Sequence, residues 1–211
     1  MAPADISAMA AKADGTLALV VGNQLYGGRL VGNDRLHTFF LAGGRSGFAD
    51  GAGAHAQFWW PSAVAAAGNG DVVVADFGNH AVRRVSQGGS VTTLAGRATR
   101  GGRDGACEHA LFTFPTDVAV TAGGHVLVAE ACFGRIRLVR GGWVTTLRRE
   151  PDFAVEYKIA LLPYGIVATT GGSELHVWAE GSRRVDAGGS AASFGVAVDC
   201  AANAVVFTSE D

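Results

Sequence analysis

The chain of 211 residues is 48% hydrophobic and 17% charged, and its formal net charge is −2 at pH 7. These values exclude a disordered chain and predict one sizeable domain with its own core. The near-neutral charge argues against binding nucleic acid or an anionic membrane through bulk electrostatics. Glycine is abundant at 31 residues, and glycine pairs lie between apolar runs, as expected of turns.

The N-terminal segment MAPADISAMAAKADG lacks the basic start and apolar core of a signal peptide. The longest apolar stretches, such as Leu17–Val21, are too short to span a bilayer, so no membrane insertion is expected in this segment and the compartment stays unknown. The three cysteines, Cys107, Cys132 and Cys200, fit no zinc-ligand spacing, and most of them are expected to be small buried apolar residues.

The predicted elements begin with strands in residues 6–44, ISAMAAKADGTLALVVGNQLYGGRLVGNDRLHTFFLAGG, a weak copy of a pattern that becomes clear further along the chain. The clear copies start at DGAGAHAQFWWP, Asp50–Pro61, which returns 54 positions later as DGACEHALFTFP, Asp104–Pro115. A near-duplicate at this spacing indicates a repeat architecture, in which each copy is one structural unit.

After each duplicate, short apolar runs alternate with turn residues. Runs such as VVVAD and VLVAE carry valine on both faces, which predicts small sheets covered on both sides. Four-stranded sheets sandwiched in this way are the blades of a β-propeller. In the first copy the predicted strands are Ala63–Ala66, Val72–Ala75, Ala81–Val85 and Val91–Leu94, with turns at Asn69-Gly70 and Gly88-Gly89 and matching second-copy turns at Gly123-Gly124 and Gly141-Gly142.

Further downstream the copies weaken again, and SFGVAVDCAANAVVFTSED opens a fifth unit that stops after its second strand. The predicted fold is therefore all-β: one β-propeller domain over residues 1–211, with four blades and part of a fifth. The predicted units are approximately 6–47, 48–100, 101–150, 151–192 and 193–211. A fragment of a six-bladed propeller is the preferred interpretation, and a closed five-bladed ring is the alternative.

The repeated segments resemble the NHL repeat family. That family's pattern runs from an Asp-Gly pair through an aromatic residue and proline to V-x-V-A-D, an Asn-His pair, an apolar-Arg pair and V-T-T-L-A-G. The chain matches it with DGAGAHAQFWWP, VVVADFGNHAVRRV and SVTTLAG, and departs from it in the next unit, where ACFG replaces FGNH. The signature residues, for which the resemblance implies structural roles, are Asp50, Gly51, Pro61, Asp76, Asn79, His80, Arg83, Asp104, Gly105, Pro115, Glu130 and Arg137.

The resemblance implies an NHL-type β-propeller whose loops and central channel are the places for ligands. Propellers of this type serve as protein-binding or RNA-binding modules, and relatives with similar blades include metal-dependent lyases and lactonases. Fold alone does not decide among these activities.

Carboxylates recur at equivalent positions of the units. Asp50 and Asp104 precede glycine, where an aspartate side chain is expected to bond the backbone two residues on. The acids that end the second strands allow either a negative ring that binds a cation or ion pairs with Arg83 and Arg137. Ion pairs are the preferred interpretation, expected to be exposed and to contribute about 0–1 kcal/mol each. The four acids are Asp76, Glu130, Glu180 and Glu210.

Histidines also recur, since His55 and His109 each follow an Asp-Gly pair by the same spacing. With His80 and His125 they have the side chain that metals commonly bind. However, no aligned histidine occurs in the first or fourth unit, so structural roles are preferred. No metal and no cofactor are predicted.

Arginines and aromatic residues form the remaining candidate site, for contact with a partner. A loop with three arginines could bind phosphate groups, and exposed aromatic rings could stack on nucleic-acid bases or contact a protein. Trp59 and Trp60, just before Pro61, are expected to fill the space between adjacent blades, with one ring left as a contact anchor. The candidate partner-binding residues are Trp59, Trp60, Arg97, Arg100, Arg103 and Phe133.

No nucleophile or phosphate-binding motif occurs in the chain, so no catalytic residue is predicted. The predicted function is a non-enzymatic binding or scaffold propeller that engages a protein or peptide through its loop face. A metal-dependent propeller lyase or lactonase is the alternative. An RNA-binding NHL propeller is the third hypothesis, and the near-neutral charge makes nucleic acid the less favoured partner.

Overall fold

A computed structural model describes residues 5–32, 35–132, 134–149, 158–162, 165–169, 175–178, 195–199 and 204–208. These residues form strands, turns and two short 3-10 turns, and none of them forms an α-helix. Accordingly, the described part holds no helix with the length and apolarity to cross a membrane. The all-β prediction is confirmed.

The strands fall into consecutive antiparallel sheets, named here blades 1 to 5. Blade 1 comprises β1 (Ile6–Ala11), β2 (Leu17–Val21), β3 (Gln24–Val31) and β4 (Arg35–Gly43); blade 2 comprises β5 (Gly51–Ala52), β6 (Pro61–Ala66), β7 (Val72–Asp76), β8 (Ala81–Val85) and β9 (Ser90–Gly96); blade 3 comprises β10 (Gly105–Ala106), β11 (Pro115–Val120), β12 (Val126–Glu130), β13 (Arg135–Arg140) and β14 (Trp143–Arg149); blade 4 comprises β15 (Lys158–Leu162), β16 (Gly165–Thr169) and β17 (Leu175–Trp178); blade 5 comprises β18 (Gly195–Asp199) and β19 (Ala204–Thr208).

Each blade follows the same topology. The first long strand of a blade contacts the first long strand of the next, in the order β1, β6, β11, β15 and β18. The later strands add outward by antiparallel pairing, and in blades 2 and 3 the short strands β5 and β10 pair with the outermost strand. This is the radial arrangement of a β-propeller, as the sequence predicts.

The valine-rich strands explain why the blades stack. Every residue of β7, VVVAD, and of β12, VLVAE, is buried, because each strand has a blade on both of its faces. In blade 2, Val64, Val72 and Val74 pack toward blade 1, whereas Val73 and Val82 pack toward blade 3. Apolar burial on both faces is therefore the main force that holds neighbouring blades together.

The layers between blades are completed by one phenylalanine from each duplicated segment. Phe58 is 1% exposed and packs among the buried residues of blades 1 and 2, and Phe112 is fully buried between blades 2 and 3. The expectation that Trp59 and Trp60 fill this space is wrong, since their exposed fractions are 43% and 65%. In the first copy, residue 58 therefore faces inward and residues 59 and 60 reach the surface, whereas in the second copy Thr113 stays buried and Phe114 is half-buried.

The turns between strands follow the sequence prediction. Gly70 and Gly89 in blade 2 have φ values of 84° and 79°, and Gly124 and Gly142 in blade 3 have values of 77° and 80°. Glycine adopts this left-handed region without the steric cost that a side chain brings. The repeat therefore has its left-handed glycines at the turns, where the chain reverses direction.

Candidate functional site

A buried arginine holds each of the two clear blades to its preceding segment. In blade 2, the Arg83 guanidinium is fully buried and forms ion pairs with two carboxylates. Its Nη1 donates to Asp76 Oδ2 at 2.8 Å and to the Gln57 carbonyl at 3.1 Å. Its Nη2 donates to Asp50 Oδ1 at 2.6 Å and to the Ala49 carbonyl at 2.8 Å.

Blade 3 repeats this network contact for contact. Arg137 is also fully buried, and its Nη1 donates to Glu130 Oε2 at 2.9 Å and to the Leu111 carbonyl at 3.0 Å. Its Nη2 donates to Asp104 Oδ1 at 2.7 Å and to the Arg103 carbonyl at 3.1 Å. Two copies of one network in adjacent blades have the character of architecture, because a catalytic site is needed only once.

Aromatic rings complete the surroundings of both arginines. The Arg83 guanidinium carbon lies 4.7 Å from the Phe48 ring centroid and 5.4 Å from that of Phe58, and Arg137 lies 5.0 Å from Phe112. A guanidinium over an aromatic face is attracted by the ring quadrupole, the more so when water is excluded. Phe58 and Phe112 thus fill the layers between blades and also cover the buried charge.

Two sequence expectations about these acids are corrected by the geometry. Asp50 does not bond the backbone two residues on; it accepts hydrogen bonds from Thr93 N at 3.0 Å and Thr93 Oγ1 at 2.9 Å, besides Arg83. The pair Asp76–Arg83 is not exposed, since both side chains are fully buried. In blade 3, Asp104 likewise accepts its hydrogen bonds from Thr146, and the pair Glu130–Arg137 is likewise fully buried. Glu180 and Glu210 lie outside the described residues.

The pKa values of the acids in the network shift in opposite directions, although burial alone would raise all of them. Desolvation raises the pKa of Asp76 and of Glu130 above their ordinary values, although hydrogen bonds and the paired arginine oppose it. For Asp50, desolvation is outweighed by the hydrogen bonds from Thr93 and Arg83, which lower the pKa below 3.8. Asp104 is lowered in the same way.

The lowered pKa of Asp50 gives a pH-dependent contribution to stability. Because the folded pKa lies below the ordinary value of 3.8, the contribution is complete above that value and is lost as the pH falls through the folded pKa. We therefore expect Asp50→Asn to lower the melting temperature at pH 7, and the gap from the wild type to shrink below about pH 4. Circular dichroism melts between pH 3 and 7 measure this gap, and Asp104→Asn is the matched copy. A gap that stays constant down to pH 3 contradicts the contribution.

The histidines do not assemble into a metal site within the described residues. His55 and His109 are exposed, and no group of three histidine, cysteine, aspartate or glutamate side chains is placed there to hold a metal ion. His80 instead accepts a hydrogen bond on Nδ1 from the Phe114 backbone N–H at 3.2 Å. Burial and, less strongly, the Arg100 charge lower the His80 pKa, which favours the neutral ring that this bond requires. Cys107 and Cys132 are free thiols, the first half-buried and the second exposed, so neither is the fully buried residue that was expected of most cysteines, and Cys200 lies outside the described residues.

The most exposed aromatic pair lies at one end of blades 1 to 3. We call this end the loop face and define it by the turns 22–23 and 77–80 and by residues 59–60 and 113–114. The ring centroids of Trp59 and Trp60 are 5.8 Å apart, with the planes tilted by 42°. The backbone beneath them is fixed: Trp59 N donates to Asp76 Oδ1 at 2.8 Å, and the Gly78 N–H donates to the Trp59 carbonyl at 2.8 Å.

Gly78 lets the Trp59 ring lie directly on the turn. A Cβ at residue 78 would lie 2.7 Å from Trp59 Cγ and 2.7 Å from its carbonyl oxygen, which is closer than real contacts allow. In blade 3 the equivalents are the smaller Thr113 and the larger Cys132. The tryptophan in blade 2 thus depends on the glycine that faces it.

The arginine loop that joins blades 2 and 3 also reaches this end of the molecule. Arg97 and Arg100 are exposed, whereas Arg103 directs its guanidinium back to the His109 carbonyl, with Nη2–O at 2.7 Å and Nε–O at 3.0 Å. Arg100 lies close enough to His80 to affect its pKa. The structure therefore brings Arg100 near the aromatic residues of the loop face, and Phe133 lies outside the described residues.

At the opposite end, a cleft of about 420 Å³ opens between blades 2 and 3. Apolar side chains line it, with the turns 67–70 and 122–124 at its edge. Its charged groups are engaged with each other, because Arg84 Nε donates to Asp71 Oδ2 at 2.6 Å and Asn69 Nδ2 donates to the same oxygen at 3.0 Å. The cleft is therefore large enough for a small ligand, but few of its polar groups are free to recognise one specifically.

Sequence reasoning missed several residues that organise this region. Phe58 and Phe112 are the one position of this aromatic stretch at which both duplicates carry the same residue, whereas Trp59-Trp60 becomes Thr-Phe in the second copy. That identity is the signal that position 58 belongs to the core. Asn23, whose Oδ1 accepts from Trp60 N at 2.9 Å, carried no signal because it lies 37 residues away in another blade.

Comparison with known proteins supports the fold. Residues 58–85 match the NHL repeat family. Virginiamycin B lyase from Staphylococcus aureus superposes with a TM-score of 0.66 at 10% identity, covering 98% of this chain and 64% of its own. A streptogramin B lyase gives 0.65 at 12% identity, covering 99% and 64%.

An auxiliary nutrient binding protein from Bacteroides ovatus superposes with a TM-score of 0.51 at 21% identity, covering 63% of this chain and 35% of its own. This chain therefore spans between 35% and 64% of the length of these three structures. No curated protein matches it significantly. At these identities the likeness establishes the blade architecture and leaves the activity to be argued from the residues.

Proposed function

Because this chain carries an NHL repeat and folds as the blades of a β-propeller, we propose that it is a non-enzymatic binding module that engages a protein or peptide through its loop face. The observation that carries the proposal is the adjacent pair at the loop face, in which Trp59 is partly exposed and Trp60 largely exposed. Tryptophan is the residue most enriched where protein interfaces are strongest, since one ring buries a large area at low entropic cost.

The backbone beneath the pair favours binding over incidental exposure. Trp60 has a left-handed φ of 50°, and backbone hydrogen bonds fix residues 59 and 60: their N–H groups donate to Asp76 and Asn23, and the Trp59 carbonyl accepts from Gly78. A rigid aromatic contact loses little freedom on binding, so more of its contact energy appears as affinity. Solved relatives of the same fold include proteins described as nutrient binding, which is consistent with a binding role.

The two alternatives receive less support from the described residues. An RNA-binding surface would use the loop with Arg97, Arg100 and Arg103, but Arg103 is already bonded to the backbone. The lyase alternative has support from the fold of its neighbours, and no described residue group offers a metal site. The lyase alternative does not account for the exposed tryptophan pair.

A photo-crosslinking experiment tests the proposal. The chain is produced in its native cells with p-benzoylphenylalanine at position 60, and separately at position 143, where Trp143 is 60% exposed on the outer strand of blade 3. We expect irradiation to give a discrete protein adduct from position 60 and none from position 143. Adducts that are sensitive to nuclease support RNA instead, and equal adducts from both positions contradict a specific loop-face site.

A further inference from the structure

In blades 2 and 3, the residue just before the first long strand makes the same kind of hydrogen bond to the preceding blade. In blade 3, the Phe114 N–H donates to His80 Nδ1 of blade 2 at 3.2 Å. In blade 2, the equivalent Trp60 N–H donates to Asn23 Oδ1 of blade 1 at 2.9 Å. Both residues are left-handed, with φ values of 49° and 50°. The backbone frame at the two positions is therefore the same, and a side chain of the preceding blade bonds it in each case.

The two positions differ in what covers the ring. Phe77 stacks on Phe114 with centroids 4.8 Å apart and planes at 29°, and His80 meets the same ring edge-on at 4.5 Å. Both come from the four-residue turn 77–80 of blade 2, which includes a short 3-10 turn. The chain itself thus shows which group fits over a ring at this position: a second aromatic side chain.

Trp60 lacks this cover because the preceding turn is shorter. In blade 1, Val21 pairs with Gln24, so the turn consists of Gly22 and Asn23 alone and supplies no ring. Among the described residues, the aromatic ring that contacts Trp60 is that of its neighbour Trp59. The indole is 65% exposed at a position where the next blade has a filled aromatic stack.

We propose that a peptide partner supplies the missing ring: an aromatic side chain, phenylalanine or tyrosine, that stacks on Trp60 in the place that Phe77 takes over Phe114. This inference rests on the proposed loop-face function and names the feature that the partner must carry. Aromatic rings prefer the offset or edge-on arrangements that Phe114 already shows with Phe77 and His80. The Trp59 ring, whose centroid lies 5.8 Å from that of Trp60, adds a second aromatic surface beside it.

The probe for this inference is a phage-displayed library of random dodecapeptides, selected on the folded chain. Selected peptides are synthesised and titrated against the wild type and three variants. Trp60→Ala removes the stacking surface, Trp60→Phe retains it, and a chimera replaces Gly22 and Asn23 with the sequence Phe-Gly-Asn-His of residues 77–80. The chimera is designed to cover Trp60 from within, as blade 2 covers Phe114.

We expect the selected peptides to share an aromatic residue. Their affinity is expected to fall by about tenfold or more in Trp60→Ala and in the chimera, as at an aromatic hot spot, and by much less in Trp60→Phe. Trp143→Ala is the matched control, and its affinity is expected to equal that of the wild type. Circular dichroism melts of each variant report whether the blades remain folded.

Three other outcomes would contradict either this inference or the proposed function. Peptides that share no aromatic residue, or that bind Trp60→Ala and the wild type equally, overturn this inference and leave the proposed function standing. An undiminished affinity in a folded chimera overturns the claim that the partner occupies the position of Phe77. No selected peptide at all counts against the proposed peptide-binding function, and this inference falls with it.

Discussion

Replacing Arg83 with methionine is expected to lower the free energy of unfolding by about 3–5 kcal/mol, the loss typical when one partner of a buried ion pair is removed. Arg83 has no solvent-exposed side-chain area, and without it the Asp76 carboxylate stays buried with no cation beside it. The carbonyls of Ala49 and Gln57 lose a donor as well. Urea unfolding at pH 7, followed by circular dichroism, measures the loss.

Arg84 is the matched control, because it is the next residue on the same strand and lies on the other face. Its side chain is half exposed and pairs with Asp71, so Arg84→Met is expected to cost about 1 kcal/mol or less. Adding Asp76→Asn to Arg83→Met is expected to restore part of the loss, since the buried charge disappears and the amide oxygen still accepts from Trp59 N. Equal losses for Arg83→Met and Arg84→Met would contradict the buried network.

The second large effect is expected from the phenylalanine between blades 2 and 3. Phe112→Ala should lower the free energy of unfolding by about 3–5 kcal/mol, because it opens a cavity in a fully buried layer and also uncovers Arg137. Phe58→Ala, the equivalent change between blades 1 and 2, is expected to have a similar cost. The same urea titration measures both.

Trp60→Ala provides the contrast, since it removes a larger ring from an exposed position. Its cost is expected to be within about 0.5 kcal/mol, as for other surface substitutions. If Trp60→Ala destabilises the chain as much as Phe112→Ala, then the indole is part of the core, and neither the proposed function nor the inference about its partner holds.

The strand pattern of this fold was predictable because the repeat states it twice. Valines on both faces of β7 and β12, and glycines at the turns, identify the four long strands of each sandwiched sheet without any knowledge of distant contacts. The short fifth strands, β5 and β10, were not predicted, because each has only two residues and pairs with a strand about 40 residues further along the chain. The acid that ends each second strand and the apolar-Arg pair that follows it also indicate that Asp76 and Arg83 act together. These features are local in sequence, so local reasoning reaches them.

The burial of the ion pairs was not predictable from the same pattern. Arg83 is buried because residues 48–58 of the preceding segment fold over it, with Phe48 and Phe58 against the guanidinium. Asp50 reaches Thr93 across 43 residues, and no sequence spacing indicates this contact. An arginine on a polar-looking strand is more often exposed, and only the packing of a distant segment reverses that expectation.

The exposure of Trp60 depends on a difference between blades. Blade 1 retains the hydrogen bond to residue 60, through Asn23, but its turn is too short to cover the indole. The sequence shows Gly22-Asn23 where blade 2 has Phe77–His80, yet the consequence appears only once neighbouring blades are placed side by side. Irregularity in one repeat thus creates the candidate site in the next.

Hydroxyl-radical footprinting, read by mass spectrometry and normalised to the unfolded chain, tests the central claim most directly. That claim is that the two duplicated segments occupy equivalent places between neighbouring blades, with Phe58 and Phe112 inside and the tryptophan pair outside. The expected result is strong protection of Phe58 and Phe112, intermediate protection of Phe114, and rapid oxidation of Trp60 and Trp59. Rapid oxidation of Phe58 or Phe112, or protection of Trp60, would contradict it.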